Sequence, residues 1–157
     1  MILTLLNSSW LAIQPSTTGD FLAGSGGVPG GREAGQWVQA NIPSNATLLT
    51  IGPSMANILQ FYGHRKAYGL SVSPNPLHRN PAYVPVNNPD LQIRSNNIQY
   101  LVWDSYSAAR SDFFSQKLLE LTARFHGRAV HTQTVKVTLD DGSQVDKPVV
   151  IIYLVRP

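Results

Sequence analysis

Residues 98–106, Ile-Gln-Tyr-Leu-Val-Trp-Asp-Ser-Tyr, decide the reading of the fold. Ile98 to Trp103 is an apolar, aromatic and β-branched run, the strongest strand signal in the chain, and Asp104 ends it with a residue suited to cap a helix. Behind it, Ser107 to His126 carries Phe114, Leu118, Leu121 and Phe125 at helical spacing, widened by Leu119 and Thr122. The spacing predicts one long amphipathic helix with Gly127 as its left-handed cap. A strand feeding directly into such a helix is half of a βαβ crossover.

Working back towards the N-terminus, the same alternation recurs. Arg32 to Ile42 places Ala34, Trp37, Val38 and Ile42 on one helical face, and Ile42-Pro43 stops it, because the residue before proline is pushed out of the α region. Ala46 to Ile51 is a short buried strand closed by Gly52-Pro53. Met55, Ile58, Leu59 and Tyr62 fall at i, i+3, i+4 and i+7 of a second helix that Gly63 terminates, and Lys66 to Ser71 makes a second strand. Working forward, Arg128–Leu139 and Lys147–Val155 flank Asp140-Asp141-Gly142-Ser143, which predicts a β-hairpin. The expected fold is α/β: a Rossmann-like three-layer sandwich, a mostly parallel sheet with a C-terminal antiparallel hairpin.

Two stretches fall outside that rhythm. Residues 71–89 hold prolines 74, 76, 81, 85 and 89 and asparagines 75, 80, 87 and 88, followed by room for one helical turn over 90–97. Such a loop either covers one edge of the sheet or binds something. Residues 1–13, MILTLLNSSWLAI, are apolar but shorter than the roughly 20 residues that span a bilayer, and no Lys or Arg precedes Arg32 as a signal peptide requires. They are either an element packed on the domain or the tail of a membrane span with Trp10 as interfacial anchor. Gln14 to Gly30 is glycine-rich and reads as linker, so the domain is placed at 31–157 behind a stub and tether over 1–30.

Composition excludes more than it identifies. The chain has 157 residues with no cysteine, a net charge of +3 and only 13% charged residues. Thiolate metal sites, disulfides and a cysteine nucleophile are excluded, and no basic stripe marks a nucleic-acid surface. Gly24 to Gly31 is not a phosphate loop: no strand precedes it, no Lys-Ser/Thr follows, and Pro29 falls where glycine is needed. His64, His78, His126 and His131 lack metal-ligand spacing, and no nucleophile elbow is present. Asn7-Ser8-Ser9 and Asn45-Ala46-Thr47 are sequons, meaningful in a secreted eukaryotic protein.

In a parallel sheet, ligands sit beyond the carboxyl ends of the strands, which singles out Gly52-Pro53-Ser54, Gly69 to Ser71 and Asp104-Ser105-Tyr106. Asp104 either binds a ribose or sugar hydroxyl or holds a base, or else it caps the next helix or pairs with an arginine such as Arg110, the cap being the favoured reading; Ser54 either helps hold an anion at a helix start or is an ordinary first-turn residue.

The run Gly31-Arg32-Glu33-Ala34-Gly35-Gln36-Trp37-Val38, then Ile42-Pro43, a strand over 47–51, a short helix ending Phe61-Tyr62-Gly63, and later Ile98 to Val102, resembles the extracytoplasmic C-terminal domain of GT-C membrane glycosyltransferases. That group includes dolichyl-phosphate-mannose protein mannosyltransferases and aminoarabinose transferases. The resemblance implies an extracellular or periplasmic domain of a membrane protein, with 1–13 the end of the last span. Its implied partners are the membrane portion of the same polypeptide and an acceptor glycan, peptide or lipid-linked sugar. It implies no cofactor, no metal, no nucleic acid and no catalytic residue in this chain, since the family's catalytic carboxylate lies in the membrane portion. Acceptor contacts are then expected from the 71–89 loop, including His78 and Tyr83, and from Ser54, Asp104 and Tyr106, with Trp103 buried. The alternative is a free-standing Rossmann-like nucleotide- or sugar-binding protein or enzyme.

Overall fold

The computed structural model describes residues 27–157; the apolar stretch 1–13 with Trp10 and the Asn7 sequon, and the linker as far as Gly26, lie outside the described residues. In chain order the elements are α1 (Gly31–Asn41), β1 (Thr47–Thr50), α2 (Pro53–Phe61), β2 (Lys66–Gly69), a 3-10 turn (Pro76–His78), α3 (Pro89–Arg94), β3 (Tyr100–Asp104), α4 (Ser105–Arg110), α5 (Asp112–Arg124), β4 (Arg128–Thr138) and β5 (Gln144–Leu154).

The sheet order is β2-β1-β3-β5-β4. β1 runs parallel to β2 and to β3, but β5 is antiparallel to both β3 and β4. The sheet is therefore mixed, and the Rossmann-like, mostly parallel expectation is overturned. The reason lies in the composition of the last two strands. Val149, Val150 and Ile152 are buried in β5, whereas β4 has no buried residue and alternates exposed with half-buried side chains. The continuous apolar run takes the inner position beside β3, and the alternating strand becomes the edge. Bulges interrupt the β4–β5 ladder between Ala129 and His131 and between Gln133 and Thr134.

β1 is buried on both faces, because successive side chains point to opposite sides and helices cover each. Leu48, Val102 and Ile152 face a cluster with Val38 of α1 and Met55 and Leu59 of α2. Leu49 and Leu101 face the other, with Ile93 of α3, Leu118 and Leu121 of α5, and Phe125. Each fully buried side chain of this size contributes about 1.5–3 kcal/mol of transfer free energy. Val28, three residues ahead of α1, is fully buried in the first cluster.

The helix expected over 107–126 is two helices. It starts two residues earlier, where Asp104 caps it, and breaks at Ser111, whose φ of −150° and ψ of 81° are not helical. Ser111 then serves as the N-cap residue of α5, its carbonyl accepting the Ser115 N–H at 3.0 Å. The left-handed residue after α5 is His126, φ 49°, not Gly127; after α2 it is likewise His64, φ 48°, not Gly63. Gly127 is needed for proximity instead, since a Cβ there would lie 2.5 Å from Thr122 Cγ2. Ile42 is extended, φ −104° and ψ 137°, and ends α1 ahead of Pro43. Among the described residues no helix is long and apolar enough to cross a membrane.

Candidate functional site

At the carboxyl ends of β1 and β3, main chain and hydroxyls close in on one another. After β2 the chain keeps pairing with β1, Leu70 N donating to Thr50 O and Ser71 N to Ile51 O, both at 2.9 Å. This carries Ser71 alongside Gly52. A Cβ on Gly52 would sit 3.2 Å from Ser107 Oγ and 3.7 Å from Ser71 Oγ, so the glycine lets Ser107 pack closely against the end of β1.

Asp104 lies beneath that contact, with no exposed surface. Its Oδ1 accepts the Ser107 N–H at 2.7 Å, the N-cap bond of α4, and its Oδ2 has no hydrogen-bond partner among the described residues. Burial pushes its carboxyl above the ordinary value of 3.8, against smaller opposing effects of the Ser107 hydrogen bonds and of Arg110. The favoured cap forms, and the alternative pairing with Arg110 does not. That guanidinium stacks 3.5 Å from the Tyr106 ring centroid and donates to Tyr106 O at 3.1 Å. Trp103 is half-buried and donates through Nε1 to Ser115 Oγ at 3.0 Å.

The remaining residues singled out by sequence are dispersed. Ser54 is exposed on the first turn of α2 and makes no side-chain cap. His78 is exposed at the end of the 3-10 turn. Tyr83 is half-buried and accepts from Asn57 Nδ2 at 3.3 Å, which ties the long loop to α2. Among the described residues, no three of His, Cys, Asp or Glu gather as metal ligands would.

Three concave surfaces are lined by the 71–89 loop, two of them reaching the strand ends through Leu70 and Ser71 and through Pro53 and Gly69, and another, about 430 Å³, lies apart between His126, Arg128, Leu154 and Arg156. A cleft of about 740 Å³ separates the two ends of the loop from α5, next to the Asp90 carboxylate, which receives Arg94 at 2.6 Å and Arg124 at 2.5 Å. A second, about 530 Å³, opens at the amino ends of β1, β2 and β3 between residues 84–87 of the loop and the segment 92–99. A third, about 330 Å³, borders the second and shares Lys66, Tyr68 and Val84 with it. Tyr83 lines this third cleft, while Ser54, His78, Asp104 and Tyr106 line none of the three.

No family model, no curated protein and no solved structure matches the chain.

The second cleft is the feature that sequence reasoning passed over. Asn45, Asn87, Gln92, Asn96, Asn97 and Gln99 all line it. The signal was present as six carboxamides between residues 87 and 99. It went unread because carboxamides have no spacing rule comparable to that of metal ligands, and because the carboxyl rather than the amino ends of the strands drew attention.

Proposed function

We propose that this chain is a non-catalytic domain on the extracytoplasmic face of a membrane glycosyltransferase that uses a lipid-linked sugar donor, and that it positions the acceptor. The observation that carries the reading is at the ends of β1 and β3: Ser107 packs against buried Gly52, and the Asp104 carboxyl, itself buried, is spent on capping α4. A nucleotide-dependent enzyme of this layout needs the groups at those strand ends free for its ligand. The resemblance of Gly31 to Val38 and the segments after it to the C-terminal domains of GT-C glycosyltransferases supports the enzyme class, and the open, carboxamide-rich clefts suit binding rather than bond breaking.

Reading the genomic frame upstream of the Met1 codon tests the proposal. Several apolar segments of about 20 residues in the same frame are expected. An in-frame stop immediately upstream overturns the membrane enzyme. A second arm measures thermal unfolding with nucleotides and nucleotide sugars, where no stabilisation is expected. A rise equivalent to about 2.7 kcal/mol, the effect of a ligand at 100 times its dissociation constant, would show the strand ends to be a working site instead.

A further inference from the structure

The cleft at the amino ends of β1, β2 and β3 has a lining of unusual uniformity. Its carboxamides fall into two sets. One set is fixed: Gln99 accepts the Thr47 N–H at 2.8 Å through Oε1 and donates to Asn96 O, and Asn97 Nδ2 donates to Gln92 Oε1 at 3.0 Å. The other set is uncommitted: the side chains of Asn45, Asn87 and Asn96 are exposed and make no hydrogen bond among the described residues, and Gln92 keeps its NH₂ and Asn97 its Oδ1 for a ligand.

A carboxamide presents two donors and an acceptor side by side, and a sugar hydroxyl is both donor and acceptor, so a pair of neighbouring hydroxyls can satisfy one amide in both directions. Among the described residues no Asp, Glu, Arg or His lines the cleft, and the one charge there, Lys66, holds its ammonium 5.5 Å from the Tyr68 ring centroid. The half-buried Tyr68 ring and Val84, Pro85 and Val86 supply the apolar surface that the C–H face of a pyranose packs against. Beyond Tyr68, the smaller cleft brings Asn57, Gln60 and Tyr83, where Gln60 Nε2 donates to Ala67 O at 2.6 Å and Asn57 Nδ2 to the Tyr83 hydroxyl at 3.3 Å, which leaves their amide oxygens as acceptors.

We infer that this trough binds a neutral glycan, with sugar rings in the two clefts on either side of Tyr68 and the free amides of Asn45, Asn87 and Asn96 reading vicinal hydroxyls. The inference deepens the accessory reading above by naming a ligand class and a place for it. It stands on the chemistry of the cleft, so it can fail while the reading-frame test succeeds, and the reverse.

The test is a titration of the ¹⁵N-labelled full-length chain with maltose, cellobiose and mannobiose, following the side-chain NH₂ signals. Saturable shifts are expected at Asn45, Asn87 and Asn96 with at least one of the three, with a dissociation constant on the order of millimolar. The double variant Asn45→Ala/Asn87→Ala, whose two positions are exposed, make no side-chain bond among the described residues and lie outside the left-handed region, is expected to fold normally and to weaken binding about tenfold or more, a loss of about 1.4 kcal/mol. Absence of saturable shifts with all three sugars, or unchanged affinity in the double variant, overturns the inference. So does a response confined to the β2 backbone amides on adding an extended peptide, which would make the edge strand rather than the amides the recognition element.

Discussion

The Asp104 carboxylate and the Ser107 backbone N–H meet at 2.7 Å in a place from which water is excluded, leaving the second carboxylate oxygen unpartnered. The bond needs an acceptor oxygen but not a charge. Because the folded pKa lies above the ordinary 3.8, the folded chain holds this proton more tightly than the unfolded one does, so the stabilisation is complete below pH 3.8 and is lost as pH rises through the folded value. Asp104→Asn keeps an oxygen for the cap and is expected to flatten that part of the stability–pH curve. Asp104→Ala loses the cap and is expected to cost about 0.5–2 kcal/mol. Urea unfolding of both variants across the acid range checks the pair.

Gly52 and Ser107 form a second coupled pair across the same junction. A methyl at position 52 would press on Ser107 Oγ at 3.2 Å, so Gly52→Ala is expected to destabilise by about 1–3 kcal/mol, as overpacking does. Ser107→Ala in the same chain removes the opposing atom. A double-mutant cycle is then expected to show a coupling of about 0.5 kcal/mol or more, and strictly additive effects would mean that the crevice has room to spare.

His131 and Trp37 stack with ring centroids 4.4 Å apart and planes 11° from parallel, joining α1 to the edge strand β4. Burial pulls the imidazole below its ordinary 6.5, so this contact is fully stabilising above pH 6.5 and weakens as pH falls through the folded value. His131→Phe keeps a flat ring on Trp37 and is expected to remove the loss of stability on acidification below pH 6.5. Tryptophan fluorescence during unfolding at pH 7 and in mild acid reads the difference.

Asp90 joins α3 to α5 by receiving Arg94 and Arg124 together, and those bonds hold its carboxyl below 3.8. This stabilisation is present above pH 3.8 and is lost as pH falls through the folded value. The pair is solvent-exposed and therefore screened. Asp90→Asn is expected to lower Tm at low ionic strength, with the difference shrinking in molar salt.

The local signals in the chain carry far: the apolar spacing of Met55, Ile58 and Leu59 and the stop at Ile42-Pro43 correspond to α2 and to the end of α1. Direction and neighbourhood of strands do not travel with such signals. A hairpin turn at Asp140 to Ser143 says that β4 and β5 are partners, not which of them abuts β3, and that choice turned the sheet from mostly parallel to mixed. Only the contrast between Val149-Val150-Ile151-Ile152 and the alternating β4 bears on it, through burial. The break at Ser111 was hidden because Phe114 and Leu118 continue a helical stripe past it. At the candidate site, Asp104 was visible as a strand-end carboxylate, but its enclosure depends on Gly52 and Ser71, brought there by chain segments far from it in sequence. Five of the six carboxamides lining the cleft come from residues 87–99, a density visible in the sequence, but that Asn45, Lys66 and Tyr68 join them depends on strand neighbourhood.

Among the described residues β4 is a long strand paired on one side only, and its two irregularities against β5 have a consequence for behaviour in a crowded solution. A flat row of unpaired N–H and C=O groups invites another chain to extend the sheet. The bulges at Ala129/His131 and Gln133/Thr134 twist that row out of line, and Arg128 and Lys136 stand exposed along it, so an incoming strand meets broken register and desolvated charge. The edge that gives the protein its widest open flank is thereby a poor template for aggregation.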